Sequence, residues 1–260
     1  MTTKITAELV KELRDRTGVS VMQCKGALEE ADGDMEKALI ILKKKSSSIA
    51  LKKEERSTKD GLVVVKEANN KALIFTLRAE TDFVAKNTDF INLANKLAEM
   101  ALTEGIEETK SKSSEMISEV VQKVGEKIEI GKTEEISGDV LGSYIHSTKN
   151  AVIVSLDSGT KELARDIAMH IAAMKPAFVK RDDITEEDKK KVIEVFEKEV
   201  EASDKPDELK KKMLDGKIST YFKEQTLMDQ TFIKDPETTI EKLLEKNGAK
   251  FNSYIFEFIN

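Results

Sequence analysis

The sequence has no tryptophan, three prolines, one cysteine, and aromatic residues amounting to only 5 % of the chain. Each shortage excludes something. So few rings leave no stacking platform for single-stranded nucleic acid. The lone Cys24 cannot close an internal disulfide, which fits a reducing cytoplasm. No apolar run approaches the ~20 residues that span a bilayer. Met1-Thr2-Thr3-Lys4 opens no apolar signal segment. Nor is there an excess of positive charge: the net charge is -6, so no overall basic field invites nucleic acid. What the chain does have is charge of both signs, 35 % of its 260 residues, and an abundance of helix formers. That composition describes a helix-rich soluble protein, long enough for two or three small domains or one large one.

Residues 1–45 read as three short helices. Thr6 is placed to cap the first, whose apolar stripe is Leu9, Val10 and Leu13, and Gly18 ends it in the left-handed region. Ser20 opens the second, with Gln23 three residues on as a capping box requires. Asp34 caps the third, which carries Met35, Ala38, Leu39 and Leu42. The connector Gly18-Val19-Ser20-Val21-Met22 puts three apolar side chains around one helix start. Val19 is expected in the small core, and burial of all three is not expected in so small a module. Cys24 reads as a small core residue. Ser46-Ser47-Ser48 and the charged Lys52-Lys53-Glu54-Glu55-Arg56 then read as a mobile linker over residues 46–60, with partial helix left open.

An internal repeat follows. Gly61 to Val65 and Ala72 to Leu77 are strands around an Asn69-Asn70 turn, and the helix behind them carries Leu93-Ala94, Leu97-Ala98 and Ala101. Gly142 to His146 and Ala151 to Leu156 are strands around a turn with Asn150, and their helix carries Leu163-Ala164, Ile167-Ala168 and Ile171-Ala172. Alanines in register let each helix lie close on its sheet. The class is α+β: a duplicated core of small antiparallel sheets, each covered on one face by helices. Between the halves, Ser114 to Gly125 is a further amphipathic helix.

Residues 183–223 are expected to form an inserted antiparallel helical hairpin of coiled-coil type. Val192, Ile193, Phe196 and Val200 stripe one arm; Leu209, Met213, Ile218 and Phe222 stripe the other, with a turn at Ala202-Ser203-Asp204-Lys205-Pro206. Each arm reaches roughly 25 Å at 1.5 Å per residue. Beyond it come a return to the core from Leu227 to Ile233, a short helix from Ile240 to Leu244, and a last strand from Phe251 to Ile259.

The stretch Thr81-Asp82-Phe83-Val84-Ala85 connects a strand to a helix, and connectors lie at the surface because buried loop backbone lacks hydrogen-bond partners. Two readings of Phe83 stand. It folds back beneath its own helix, or it is an anchor for another protein with Asp82 beside it to fix register. Nucleotide binding by the chain itself is not expected. Gly131-Lys132-Thr133 has the end of a phosphate loop, but the glycine needed five positions before Gly-Lys is replaced by Glu126, whose carboxylate would repel phosphate. No metal-ligand spacing, nucleophile elbow or zinc-binding histidine pair appears, so neither metal nor cofactor is expected. His146 and His170 are the only histidines, and His170 shares a helix face with Leu163, Ile167 and Ile171, as a hydrogen-bonded core histidine would.

These residues together resemble the bacterial elongation factor Ts family over essentially the whole chain. The resemblance is carried by Leu13-Arg14 through Thr17-Gly18 with Cys24-Lys25 and Ala27-Leu28, by Thr81-Asp82-Phe83-Val84-Ala85, by Gly138 to Tyr144 with His146, and by Ile167 to Ala173. It implies a nucleotide exchange factor for elongation factor Tu, not an enzyme, acting in the cytoplasm on a protein partner without nucleic acid or membrane. It implies a ubiquitin-associated-like N-terminal module that meets the partner's GTPase domain, with Arg14, Val21 and Met22 on that side. The Asp82-Phe83 pair would intrude near the partner's magnesium and phosphate site, Thr81, Val84 and Ala85 would be partner-binding residues beside it, and His146 and the Ile233 region would meet or support contacts with other partner surfaces.

Three departures stand out: Gln23 where the family often has Asp, Thr231 before Phe232 where Pro is common, and an end at Asn260 where some members add a C-terminal helix that also touches the GTPase domain. That last contact is therefore not among those expected. The expected organisation is a partner-binding module at 1–45, a charged linker at 46–60, core subdomains at 61–138 and at 139–182 with 224–260, and the hairpin at 183–223. Two other readings of the residues are a scaffold that binds through the hairpin, and a small hydrolase using Asp82 and His146.

Overall fold

The computed structural model describes residues 5–203 and 205–259. Met1 to Lys4, Asp204 of the expected turn, and Asn260 lie outside the described residues. The class is α+β, helices with small antiparallel sheets. The chain divides into two compact units: the described residues through Ile136 with Ser147–Ala151 and the segment from Ile255 onward, and Ser137–His146 with Val152–Tyr254.

In the first unit α1 (Ala7–Thr17), α2 (Val21–Glu30) and α3 (Met35–Leu51) start at the anticipated caps. The Thr6 hydroxyl accepts from Leu9 N–H, the Ser20 hydroxyl from Gln23 N–H and the Asp34 carboxylate from Lys37 N–H. Gly18 ends α1 in the left-handed region at φ 69°. Gln23 does not complete a capping box; its side-chain oxygen accepts from Gln122 Nε2 at 3.2 Å. The three helices share a buried cluster of their own, with Leu13, Cys24, Ala27, Leu28 and Ala38 at its centre. Val19 is buried while Val21 and Met22 are exposed, so one of the three apolar residues around this helix start seals the cluster and two do not.

Instead of giving way to a linker at residue 46, α3 continues through Ser46-Ser47-Ser48 to Leu51. The Ser46 hydroxyl donates back to the Lys43 carbonyl at 2.7 Å, and Ile49 and Ala50 pack against the cluster under the first sheet.

β1 (Asp60–Ala68) and β2 (Lys71–Ala79) pair antiparallel across the Asn69-Asn70 turn, with Asn69 at φ 55°. Asn tolerates this left-handed conformation because its short side chain bonds locally. A four-residue helix, α4 (Asp82–Ala85), then leads into α5 (Thr88–Glu104) and α6 (Ile106–Val124). The third strand of this sheet, β3 (Ile128–Ser137), was not anticipated: Gly131-Lys132-Thr133 lies inside it, next to β2. A Cβ on Gly131 would stand 3.0 Å from the Thr76 side chain. The string that imitates a phosphate loop is therefore extended backbone, with no strand-to-helix turn to cradle an anion.

The second unit repeats the pattern. β4 (Val140–His146) and β5 (Asn150–Ser158) share a sheet in the order β4-β5-β8, and α7 (Lys161–Met174) covers it. Leu163, Ala164, Ile167, Ala168 and Ile171 are buried on the sheet-facing side. The approach is close enough to require glycine: a Cβ on Gly142 would lie 2.3 Å from Arg165 N and 2.6 Å from the Ala164 Cβ. α8 (Glu186–Glu201) and α9 (Asp207–Gln225) follow. Phe196 meets Tyr221 edge-to-face at 5.9 Å, and Lys217 Nζ reaches Glu199 at 2.6 Å. A small pair, β6 (Thr231–Phe232) and β7 (Asp235–Thr239), then α10 (Ile240–Lys246) and β8 (Lys250–Phe258), complete the chain.

Candidate protein-interaction site

The stretch Thr81–Lys86 is built on two anchors. Below, Val84 and Ala85 are buried in the cluster that includes Leu62, Phe75 and Phe90. This corrects the expectation that these two residues offer contact surface: their side chains fasten α4 to its own core. Above them Phe83 is 82 % exposed, so the reading in which it folds back beneath its helix is excluded. An apolar residue this exposed directly before two buried ones follows from helix geometry. Successive residues on a helix point about 100° apart, so one turn fastened by Val84 and Ala85 turns Phe83 outward.

Asp82 is half-buried, and its Oδ2 lies 2.7 Å from Lys86 Nζ one turn on. The hydrogen bond from Lys86 is the largest of the effects that hold the Asp82 carboxyl below its usual range, and the same bond raises the Lys86 ammonium. Asp82 is thus a carboxylate with its charge partly balanced. Thr81 is extended and precedes the helix, but its hydroxyl does not cap it. It donates instead to the Glu126 carboxylate at 2.7 Å, and Thr81 N–H donates to the same carboxylate at 3.0 Å. The residue that spoils the phosphate loop in the sequence is thus a hydrogen-bond acceptor for the entrance to α4, 45 residues away.

Arg14 is exposed in the last turn of α1, and Val21 and Met22 open α2 at 49 % and 78 % exposure. All three belong to the same unit as the Phe83 stretch. In the second unit His146 is exposed at the end of β4, its Nδ1 3.2 Å from the Tyr144 hydroxyl. Ile233, 47 % exposed, is held from behind: its backbone N–H donates to His170 Nδ1 at 3.3 Å, and His170 Nε2 lies 2.9 Å from Gln230 Oε1. With Nδ1 accepting from an amide, Nε2 carries the proton, and His170 is the buried, hydrogen-bonded core residue its helix face implied. A cleft of about 290 Å³ in this unit is lined by Tyr144, Glu162, Arg165, Asp166, Met169 and Lys234.

The arrangement offers exposed apolar side chains on firmly held backbone. Among the described residues no group of three or more His, Cys, Asp or Glu side chains is placed to hold a metal ion, and no helix is long and apolar enough to cross a membrane. The family model for elongation factor TS matches residues 80–259. The chain belongs to the elongation factor Ts family. Relatives that carry this name include proteins from Hahella chejuensis, 40 % identical with 95 % of this chain and 88 % of the relative covered, and Alcanivorax borkumensis, 38 % identical with 95 % and 91 % covered. A Legionella pneumophila elongation factor Ts is 36 % identical, with 96 % and 90 % covered. The family match begins at Glu80, so the exposed Phe83 stretch lies within it. α1 to α3 lie outside the family match.

What the sequence did not reveal is the support. Glu126 was readable only as a missing glycine, because its partner Thr81 is remote in sequence and nothing local marks the pairing. Glu80 was equally silent: its carboxylate accepts from Lys127 N–H at 2.7 Å and is paired with Arg56 at 3.2 Å.

Proposed function

We propose that this chain is a guanine-nucleotide exchange factor that accelerates GDP release from elongation factor Tu during protein synthesis, in the cytoplasm. The observation that carries this is Phe83: a nearly fully exposed aromatic side chain on a helical turn fastened to the core by the next two residues. Exposed aromatic residues on rigid backbone are how interfaces concentrate energy, and membership of the family names the partner class.

In this reading Phe83 and Asp82, led in by Thr81, enter near the partner's magnesium and phosphate site. Displacing the partner's magnesium contacts removes charge neutralisation at the phosphates, so GDP leaves faster. The coupling is reciprocal: as the factor weakens GDP binding, GDP weakens the factor's binding by the same amount, and GTP entry expels the factor. Residues 1–45 act as a ubiquitin-associated-like module meeting the GTPase domain through Arg14, Val21 and Met22. His146 and Ile233 serve a second contact, and the antiparallel arms α8 and α9 a peripheral one. The core subdomains are those at 61–138 and at 139–182 with 224–260.

The test is release of fluorescent GDP from the cognate elongation factor Tu with and without this chain. Acceleration well below stoichiometric amounts is expected. Binding with unchanged release supports a scaffold instead. A hydrolase acting through Asp82 and His146 would need an acid-base pair free to act, whereas Asp82 is engaged by Lys86 and His146 by Tyr144.

A further inference from the structure

We propose that Glu126 is a positioning residue for the Phe83 turn, acting through Thr81 as one half of a reciprocal clamp between the end of β2 and the start of β3. Glu126 accepts the Thr81 N–H and hydroxyl at 3.0 and 2.7 Å, and Glu80 accepts the Lys127 N–H at 2.7 Å. Two consecutive residues on each segment thus hold two on the other, each pair supplying a carboxylate and a backbone donor. The clamp is needed because α4 cannot hold itself. Four residues make too short a helix to be stable alone, and the Thr81 hydroxyl that would ordinarily cap it is committed elsewhere.

The approach to the clamp is itself fixed. Gly125 ends α6 at φ 77°, a left-handed turn that glycine makes without strain, and its carbonyl accepts from Lys53 Nζ at 2.6 Å. Glu126 therefore leaves a firmly ended helix and meets Thr81 where β2 gives way to α4. Val84 and Ala85 fix the depth of the turn, and Glu126 fixes its direction of entry. A contact residue held in its bound orientation loses less freedom on association than one that must be ordered. The clamp thus acts on how well a seated factor drives nucleotide out, more than on how the factor folds.

This role rests on the exchange reading, so the test has one arm that does not depend on it. In Glu126→Ala the Thr81 amide should lose protection in residue-resolved hydrogen exchange of the free protein. Glu126→Gln, which keeps an acceptor oxygen, should retain most of that protection. In the second arm, the maximal rate of fluorescent-GDP release at saturating factor should fall roughly three- to tenfold in Glu126→Ala, recover in Glu126→Gln, and show no further fall when Glu126→Ala is added to Phe83→Ala. An unchanged Thr81 amide in Glu126→Ala overturns the clamp. Lost protection with an unchanged release rate, or effects of Glu126→Ala and Phe83→Ala that simply add, overturn the positioning role. A wild-type factor that does not accelerate release overturns the exchange reading and the positioning role together, while the amide arm still decides whether the clamp exists.

Discussion

Phe83 and Val84 are neighbours with opposite fates, and the contrast makes a direct measurement. Replacing Phe83 by Ala should change folding stability by no more than about 0.5 kcal/mol, as for other exposed positions, and yet slow GDP release severalfold or more. Replacing Val84 by Ala, which removes buried methyls from the cluster around Phe90, should cost about 2 kcal/mol. Thermal melting and nucleotide release on the same preparations separate the two. The sequence showed that Phe83 sits in a connector but left its direction open, because a single turn of helix has no periodicity to read. Only the burial of Val84 and Ala85 decides it.

His170 makes a second prediction at this scale. Burial, only partly opposed by the bond with Gln230, lowers its pKa below the ordinary 6.5. The folded protein then binds fewer protons here than the unfolded chain between the lowered value and 6.5. Stability from this site is complete above about pH 6.5 and is lost as the pH falls toward the lowered value. His170→Gln should flatten that part of a denaturation-midpoint-against-pH curve.

Among the elements, those with strong period or strong punctuation were readable and the others were not. Caps at Thr6, Ser20 and Asp34, the paired strands around Asn69, and the alanine-lined helices α5 and α7 all follow from residue pattern. β3 was missed because only Ile128 and Ile136 of its ten residues are buried, so it lacks the alternation that marks a strand. The sequence left partial helix open after residue 45 but not its extent, because three serines read as an interruption. Yet Ser46 satisfies its hydroxyl on the preceding turn, and the packing of Ile49 and Ala50 outweighs serine's modest helix propensity.

The arms α8 and α9 carry an element-scale prediction that the packing refines. Phe222 is buried and meets Phe178 at 6.3 Å, so the base of the arm belongs to the core of its unit. Replacing residues 198–216 by a short turn keeps Phe196, Tyr221 and Phe222. That variant should melt cooperatively and lose only part of its exchange activity. Complete loss would place a primary contact on the removed arm.

For the whole molecule, the pattern of strand, turn, strand and helix, read twice, gave the α+β class. It could not give the compact units, because Ser147–Ala151 and the segment from Ile255 onward join the first unit from remote positions in the chain. Removing residues 1–45 tests the organisation as a whole. The cut leaves Ile49 and Ala50 in place against the first sheet's cluster. It removes the exposed Lys43–Glu115 pair, the part-buried Gln23–Gln122 bond and part of the packing of α3 against α6. An exposed ion pair such as Lys43–Glu115 adds little to stability. The remainder should therefore unfold in one cooperative transition while binding the partner more weakly. A remainder that does not fold would make the three helices integral to the unit.

Cys24 is fully buried, with its thiol against the Val19 carbonyl at 3.5 Å. For anyone wishing to watch this protein work, that seclusion is an experimental convenience. A reporter dye can be attached at one chosen place without first stripping the chain of competing thiols. Thr88 is exposed at the first position of α5, a few residues past Phe83. Thr88→Cys should take up one equivalent of a maleimide fluorophore in native buffer and two in denaturant, counted by mass spectrometry. The native chain should take up none until it unfolds. A dye so placed stands beside the Phe83 turn and reports its encounters directly, in real time and in solution.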